Sequence, residues 1–105
     1  MKLDFYYGKE YKMIVLGEKN GIVTFIFNSN PGAKNVYLVG DFNQWNPKSK
    51  RMMKNKDGSF QVNIRLSAGE YQYKFVADGV WLSDPDAQRQ VMNPYGTLNS
   101  VIGVA

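Results

Sequence analysis

The chain has 105 residues, 44% of them hydrophobic and 21% charged, a composition that predicts one folded domain and not a disordered segment. Cysteine and histidine are both absent. Their absence excludes disulfides, Ser-His and Cys-His pairs, and metal ligation by thiolate or imidazole. The net charge is a modest +4. We therefore expect neither a metal nor a cofactor, and few enzyme mechanisms stay open.

Period-two alternation of apolar and polar side chains, interrupted by Gly, Asn, Asp and Pro, is typical of short antiparallel strands. Segment 60–66 is the clearest case, because Phe60, Val62, Ile64 and Leu66 would share one buried face. Further strands are predicted at 11–16, 22–28, 35–40, 71–77, 80–82 and 98–104. Residues 1–20 are expected to be an N-terminal extension or an additional strand, and residues 21–105 the β-sandwich domain.

Turn-forming residues separate these strands. Asn20-Gly21 predicts the tip of a first hairpin, Pro31-Gly32 a loop, and Asp57-Gly58 and Asp78-Gly79 two type I′ turns. About seven strands spaced by about ten residues predict an all-β, immunoglobulin-like sandwich. A five-stranded OB barrel is the alternative. The N-terminal residues show no secretory pattern, and no apolar run reaches the roughly 18 residues of a membrane span. A cytoplasmic protein without membrane contact is expected.

Three polar segments carry aromatic residues outside or beside the predicted strands. Trp45 lies among turn-forming residues after the strand at 35–40, where it would either be exposed or cap one end of the sandwich. Trp81 follows the Asp78-Gly79 turn and would be either exposed or a core residue at the hairpin end. Alternation places Lys74 on the solvent side, opposite the inward-facing Tyr73 and Phe75.

The third segment, 93–100, surrounds Tyr95 with amide and hydroxyl groups that would either bind a ligand or hold the turn. Flat rings beside ammonium, amide and hydroxyl groups suit a pyranose, which has an apolar C–H face and a rim of hydroxyls. The combined pattern therefore favours a sugar-binding surface.

At these segments the chain resembles carbohydrate-binding module family 48, in particular the glycogen-binding domains of AMP-activated protein kinase β subunits. The matching segments occur in family order, at 35–45, 69–75, 78–85 and 96–101. The resemblance implies an early-set immunoglobulin-like sandwich that binds α-1,4-linked glucans such as glycogen, starch or maltooligosaccharides, without catalysis. It also implies a partner, either a glucan-metabolising enzyme or a kinase complex.

The resemblance assigns Trp45 and Trp81 as stacking platforms and Lys74 and Asn99 as hydroxyl-binding residues, with Thr97 beside them. Tyr95 stands where the kinase domains have a leucine. Tyr95 therefore either adds a stacking surface or narrows the site.

Three alternatives remain open from the sequence. Asp84 and Asp86 are near neighbours that a glycoside hydrolase would use as a carboxylate pair, although Asp84-Pro85-Asp86 is also typical of a turn. Nucleic acid would be attracted by the basic cluster, which consists of Lys48, Lys50, Arg51, Lys54 and Lys56. We nevertheless do not expect nucleic acid as a partner. Finally, the domain would serve as an N-terminal packing module of a glucan branching or debranching enzyme, without binding sugar itself.

Overall fold

The computed structural model describes residues 21–105, and in this range the chain forms eight β-strands and one short 3-10 helix. The strands are β1 (Ile22–Phe27), β2 (Val36–Gly40), β3 (Met53–Lys54), β4 (Phe60–Arg65), β5 (Gly69–Ala77), β6 (Val80–Leu82), β7 (Arg89–Met92) and β8 (Leu98–Val104), and the helix is Asp41–Asn43. The strands separate into two antiparallel sheets, so the predicted all-β, immunoglobulin-like sandwich is confirmed and the OB barrel is wrong.

Most strand predictions hold to within two residues at each end. The predicted strand at 11–16 and Asn20 of the first turn lie outside the described residues. The sequence did not predict β3 or β7. β3 has only two residues, both exposed, and β7 (Arg89–Met92) shows no clean alternation. Both strands exist because a longer neighbour, β4 or β8, offers its edge for pairing.

The sheet that positions the candidate site has β5 at its centre, in the order β2-β5-β8-β7. One edge of β5 pairs with β2 along residues 73–77. The other edge is shared, because β8 pairs with residues 69–73 and β6 pairs with residues 75–77. Lys74 therefore lies at the point where β6 ends and β8 begins. The second sheet, in the order β1-β4-β3, packs on the other side of the core.

The core lies between the sheets and is rich in aromatic rings. Tyr73 and Phe75 of β5 face Phe25 and Phe27 of β1, with ring centroids 5.0 Å apart for Tyr73 and Phe25 and 5.1 Å apart for Phe75 and Phe27. Alternation in β4 continues into the core as predicted: Phe60, Ile64 and Leu66 are buried, and Val62 packs against them. Within residues 21–105, no helix has both the length and the apolar character that crossing a bilayer requires.

The two turns predicted as type I′ differ. Asp78 and Gly79 have φ of 49° and 85°, so that prediction is confirmed. At the other turn only Gly58 has positive φ, and the type I′ prediction is wrong. There the amide of Gly58 donates to the carbonyl of Asn55 at 3.1 Å, and that of Asn55 to the carbonyl of Ser59 at 2.7 Å. These bonds define a three-residue loop that ends in a left-handed glycine.

Candidate functional site

Trp45 is held on a tight loop at the end of β2. The loop begins at Gly40, where a Cβ would lie 2.5 Å from the carbonyl oxygen of Gln72, so only glycine fits. Gln44 and Trp45 then adopt positive φ, 55° and 56°, although neither is glycine. Such backbone is costly for residues with side chains and is kept only where the surroundings fix it. The direction of the Trp45 side chain is therefore imposed by its neighbours.

Asn43 is one of those neighbours and is buried at 8% exposure. Its Oδ1 accepts from the amide of Gly40 at 3.0 Å, and its Nδ2 donates to the carbonyl of Leu38 at 3.1 Å and to Ser49 Oγ at 3.0 Å. Phe42 packs against the core beneath the loop. These contacts anchor the loop from below.

Lys74 points away from the core, as strand alternation predicts, but it is not solvated. The residue is only 8% exposed, and it lies at the junction of β6 and β8 on the edge of β5. Its Nζ donates to Thr97 Oγ1 at 3.1 Å. The predicted direction of the Lys74 side chain is therefore correct, but the expectation that it is exposed to solvent is wrong. Its remaining ammonium hydrogens are available as donors on the same face of the sheet.

Tyr95 is at the tip of the loop between β7 and β8, and 91% of the residue is exposed. Asn93 makes this loop: its Oδ1 accepts from the amides of Tyr95 and Thr97, at 3.0 and 3.1 Å. The prediction that polar residues of this segment hold the turn is correct for Asn93. Tyr95 has no packing role in this loop, because its ring extends into solvent.

A continuous set of hydrogen bonds joins the polar side chains beneath these aromatics. Asn99 Nδ2 donates to Gln72 Oε1 at 2.9 Å, and Asn99 Oδ1 accepts from Asn93 Nδ2 at 3.0 Å. Asn93 Nδ2 also donates to Thr97 Oγ1 at 2.7 Å, the hydroxyl that Lys74 contacts. The network fixes each amide orientation before any ligand arrives, because a flipped amide would face a donor with a donor.

The six sequence-predicted site residues surround one groove of about 700 Å³, a volume typical of ligand sites. The lining residues are Asp41, Trp45, Gln72, Lys74, Trp81, Asn93, Pro94, Tyr95, Thr97 and Asn99. The sequence prediction did not include four of the lining residues, namely Asp41, Gln72, Asn93 and Pro94. Gln72 had a usable signal, since it shares the outward face of β5 with Lys74, two residues away. Asp41 had none, because its position depends on the loop.

The outer face of the sheet beside the tryptophans also carries apolar side chains. Val39, Val76 and Val101 are buried, yet they alternate with core residues along β2, β5 and β8 and so point to the outer face of the sheet. Trp81 lies opposite Val76 in the β5–β6 pair and is 46% exposed. Trp45 is half-buried. Neither indole belongs to the core between the sheets. The alternative that Trp81 is a core residue is therefore wrong. Both indoles line the groove.

Asp84 lies outside the groove and is 5% exposed. Its Oδ2 accepts from the hydroxyl of Tyr73 at 2.8 Å, and its Oδ1 accepts from the amide of Asp86 at 2.9 Å, which makes the predicted turn. Burial raises the pKa of the Asp84 carboxyl above its ordinary value, although the hydrogen bond from Tyr73 opposes that shift. Both oxygens are thus engaged in structure, which argues against a hydrolytic carboxylate pair.

The basic cluster likewise does not reach the groove in the described part of the chain. Arg51 Nη2 donates to Asn35 Oδ1 at 2.7 Å, and Lys54 lies over the ring of Phe60 with its Nζ 5.6 Å from the centroid. Among residues 21–105, no group of three or more carboxylates is placed to hold a metal ion. The groove is lined mainly by aromatic rings and hydrogen-bonding side chains.

Known proteins that resemble this chain share the same domain. A pig AMP-activated protein kinase subunit beta-1 is 39% identical over 79 residues, which are 75% of this chain and 62% of the pig sequence. The rice protein FLOURY ENDOSPERM 6, described as chloroplastic, is 39% identical over 80 residues, 76% of this chain and 14% of that protein. The chain thus spans less than two thirds of either relative.

A solved structure and a family model also match most of this chain. The crystal structure of a maltogenic amylase from S. marinus matches 80% of this chain and 13% of the amylase chain, with a TM-score of 0.67 and 28% identity. The model of the glycogen recognition site of AMP-activated protein kinase matches residues 23–105. The resemblance inferred from the sequence motifs is confirmed, and the chain belongs to this family of glycogen-recognition modules, of the carbohydrate-binding module 48 type.

Proposed function

We propose that this chain binds α-1,4-linked glucans in the groove, by stacking sugar rings on Trp45 and Trp81, and that it performs no chemistry on them. The observation that carries the proposal is the placement of two partly exposed indoles around one groove whose floor is a pre-ordered polar network. Membership in a glycogen-recognition family supports a glucan as the ligand.

Stacking supplies only part of the affinity. An indole that covers roughly 40 to 60 Å² of a pyranose face contributes about 1 to 1.5 kcal/mol. Each net hydrogen bond adds about 0.5 to 1.5 kcal/mol, and association costs several kcal/mol. A short oligosaccharide should therefore bind in the micromolar to millimolar range, whereas a polymer gains from repeated sites.

The polar residues have separate roles in this proposal. Lys74 and Asn99 donate to sugar hydroxyls, each from a position that a hydrogen bond to a neighbouring side chain already fixes. Thr97 shapes the wall beside Lys74, and the exposed ring of Tyr95 forms the edge of the groove. Because the network is ordered in advance, little side-chain entropy should be lost on binding.

Titration with maltoheptaose tests the proposal. We expect Trp45→Ala and Trp81→Ala each to weaken binding by about tenfold, since each removes about 1 to 1.5 kcal/mol of stacking. Val80→Ala is a matched control, because Val80 adjoins Trp81 on β6 and is exposed, yet does not line the groove. Unchanged affinity in both folded tryptophan variants would refute the proposed site.

The choice of glucan has its own test. Cellohexaose presents the same sugar rings through β-linkages, so equal affinity for cellohexaose and maltohexaose would contradict the α-1,4 assignment. A wild-type chain that binds neither would instead favour the packing role in a longer enzyme. Tight, strongly salt-dependent binding of single-stranded DNA would favour the nucleic-acid alternative.

The protein partner and the cellular location of this chain are also proposals. The kinase-subunit relatives support a kinase complex as the protein partner, and the amylase neighbour supports a glucan-metabolising enzyme as the alternative. A cytoplasmic location is part of the proposal. The division into an extension at 1–20 and a binding domain at 21–105 stays a prediction. Expression of residues 21–105 alone tests that boundary: we expect a folded protein with the full affinity for maltoheptaose.

A further inference from the structure

The indole of Trp45 has one polar atom, and that atom is engaged inside the protein. Trp45 Nε1 donates to Asp41 Oδ1 at 3.0 Å. The other carboxylate oxygen of the same residue, Oδ2, accepts from the backbone amide of Gln72 at 2.7 Å. Asp41 thus connects the loop that carries Trp45 to the central strand of the sheet.

This connection fixes the ring in a way that the backbone alone does not. Positive φ at Gln44 and Trp45 sets the direction in which the side chain leaves the loop, but rotation about the last side-chain bond would still turn the indole plane. The bond to Asp41 removes that rotation, and the bond from Gln72 prevents the carboxylate from turning with the ring. Both hydrogen bonds involve a carboxylate, and such bonds are stronger than neutral ones.

We infer that Asp41 is a positioning residue of the binding site, which holds the Trp45 indole in the plane that a sugar ring requires. The inference rests on the proposed glucan-binding function. It also has a consequence for the ligand: Trp45 recognises sugar by its face alone, since its N–H is already donated.

A double-mutant cycle tests this role. We expect Asp41→Ala to weaken maltoheptaose binding by about tenfold, because a charge-assisted hydrogen bond is lost and the ring is free to turn. Trp45→Phe keeps a ring but has no N–H, so the ring donates no hydrogen bond to Asp41, while the bond from the Gln72 amide remains. In the Trp45→Phe background, Asp41→Ala should change the affinity less than about twofold.

Asp41→Asn provides a conservative comparison. An amide has a single acceptor oxygen, so it can accept from Trp45 or from Gln72 but meets the other donor with an N–H group. We expect an affinity between those of wild type and Asp41→Ala. Asp86→Ala is the charge control, because it removes one exposed carboxylate that does not line the groove. It should leave the affinity unchanged.

The ligand-free protein gives an independent measurement. In the proton–nitrogen NMR spectrum, the Trp45 indole N–H should shift and exchange faster with solvent in Asp41→Ala, while the Trp81 indole N–H serves as an internal reference. If Asp41→Ala does not fold, Asp41→Asn decides the matter by the same spectrum.

Two outcomes would overturn the inference. One is wild-type affinity in Asp41→Ala although the Trp45 resonance has moved. The other is an equal loss of affinity in the wild-type and Trp45→Phe backgrounds, which would mean that Asp41 does not act through the Trp45 indole. Failure of the wild type to bind any glucan would refute the proposed function instead, and the ligand-free spectrum would still decide whether Asp41 holds the indole.

Discussion

Two loops of this molecule have nearly the same construction and different surroundings. Residues 55–59 and 93–97 each begin with Asn and form a three-residue loop with a left-handed glycine, Gly58 at φ 91° and Gly96 at φ 85°. In each loop the Asn Nδ2 donates to the hydroxyl four residues later, at 3.0 and 2.7 Å. The two loops therefore share the same pattern of backbone and asparagine hydrogen bonds.

The difference lies in what the last hydroxyl contacts. Ser59 donates to Asp57 Oδ1 at 2.6 Å, so its hydrogen bond stays within the loop. Thr97 instead accepts from Lys74, which lies outside the loop, on β5 of the same sheet as β7 and β8. The two turns have the same hydrogen bonds, so the turn itself does not decide which loop joins the groove. The contact between Thr97 and Lys74 makes that difference. Pairs of equivalent substitutions can test this comparison.

The largest effect is expected at the two asparagines. Asn93→Ala removes four hydrogen bonds, including the one to Asn99, and should cost about 1 to 2 kcal/mol of stability as well as weaken maltoheptaose binding several-fold. Asn55→Ala should lower stability and leave the affinity unchanged. Urea unfolding and calorimetric titration measure the two quantities. Equal losses of affinity in both variants would contradict the comparison.

A smaller effect is expected at the two glycines. Gly58→Ala and Gly96→Ala each place a side chain at positive φ, which costs about 1 kcal/mol. A Cβ at Gly58 would also lie 3.1 Å from Pro31 Cβ, whereas one at Gly96 meets no other described heavy atom within 4 Å. Urea unfolding should therefore show Gly58→Ala to be the less stable variant. The reverse order would show that crowding is not the deciding factor.

The smallest effect is a pH dependence confined to the first loop. Hydrogen bonds from the Ser59 hydroxyl and then the Ser59 amide lower the pKa of Asp57 below its ordinary value. A lowered pKa means stability that is present above the unfolded value and lost as the pH falls through the folded one. The thermal midpoint of wild type should therefore exceed that of Asp57→Asn at neutral pH and approach it below about pH 4. A gap that stays constant would contradict this account.

The sequence predicted the strands better than the turn types. The strands at 22–28 and 60–66 were predictable, because alternation reports directly which side chains can be buried. Asp78-Gly79 was predictable as a turn from its residue types, yet the similar Asp57-Gly58 pair adopted another turn. The spacing between paired strand positions selects between two such turns, and that spacing is a property of the partner strands.

The candidate site shows the same division. Trp45, Lys74, Trp81, Tyr95, Thr97 and Asn99 were predicted from aromatic and polar segments together with a family resemblance, and the groove contains them all. Their roles as ligand contacts stay predictions. The burial of Lys74 was not predictable, because the residue lies where β6 and β8, which are distant in sequence, share one edge of β5.

The sequence by itself determined an all-β chain, the faces of its main strands and the residue types suited to a sugar. Those features are local, since they depend on periodicity and on the chemistry of single side chains. Only the tertiary structure decided that Asp41 would hold the Trp45 indole, and that Asn93, Asn99 and Gln72 would share one network. These contacts join residues that strand pairing brings together, and hydrogen bonds need a geometry that residue type alone does not specify.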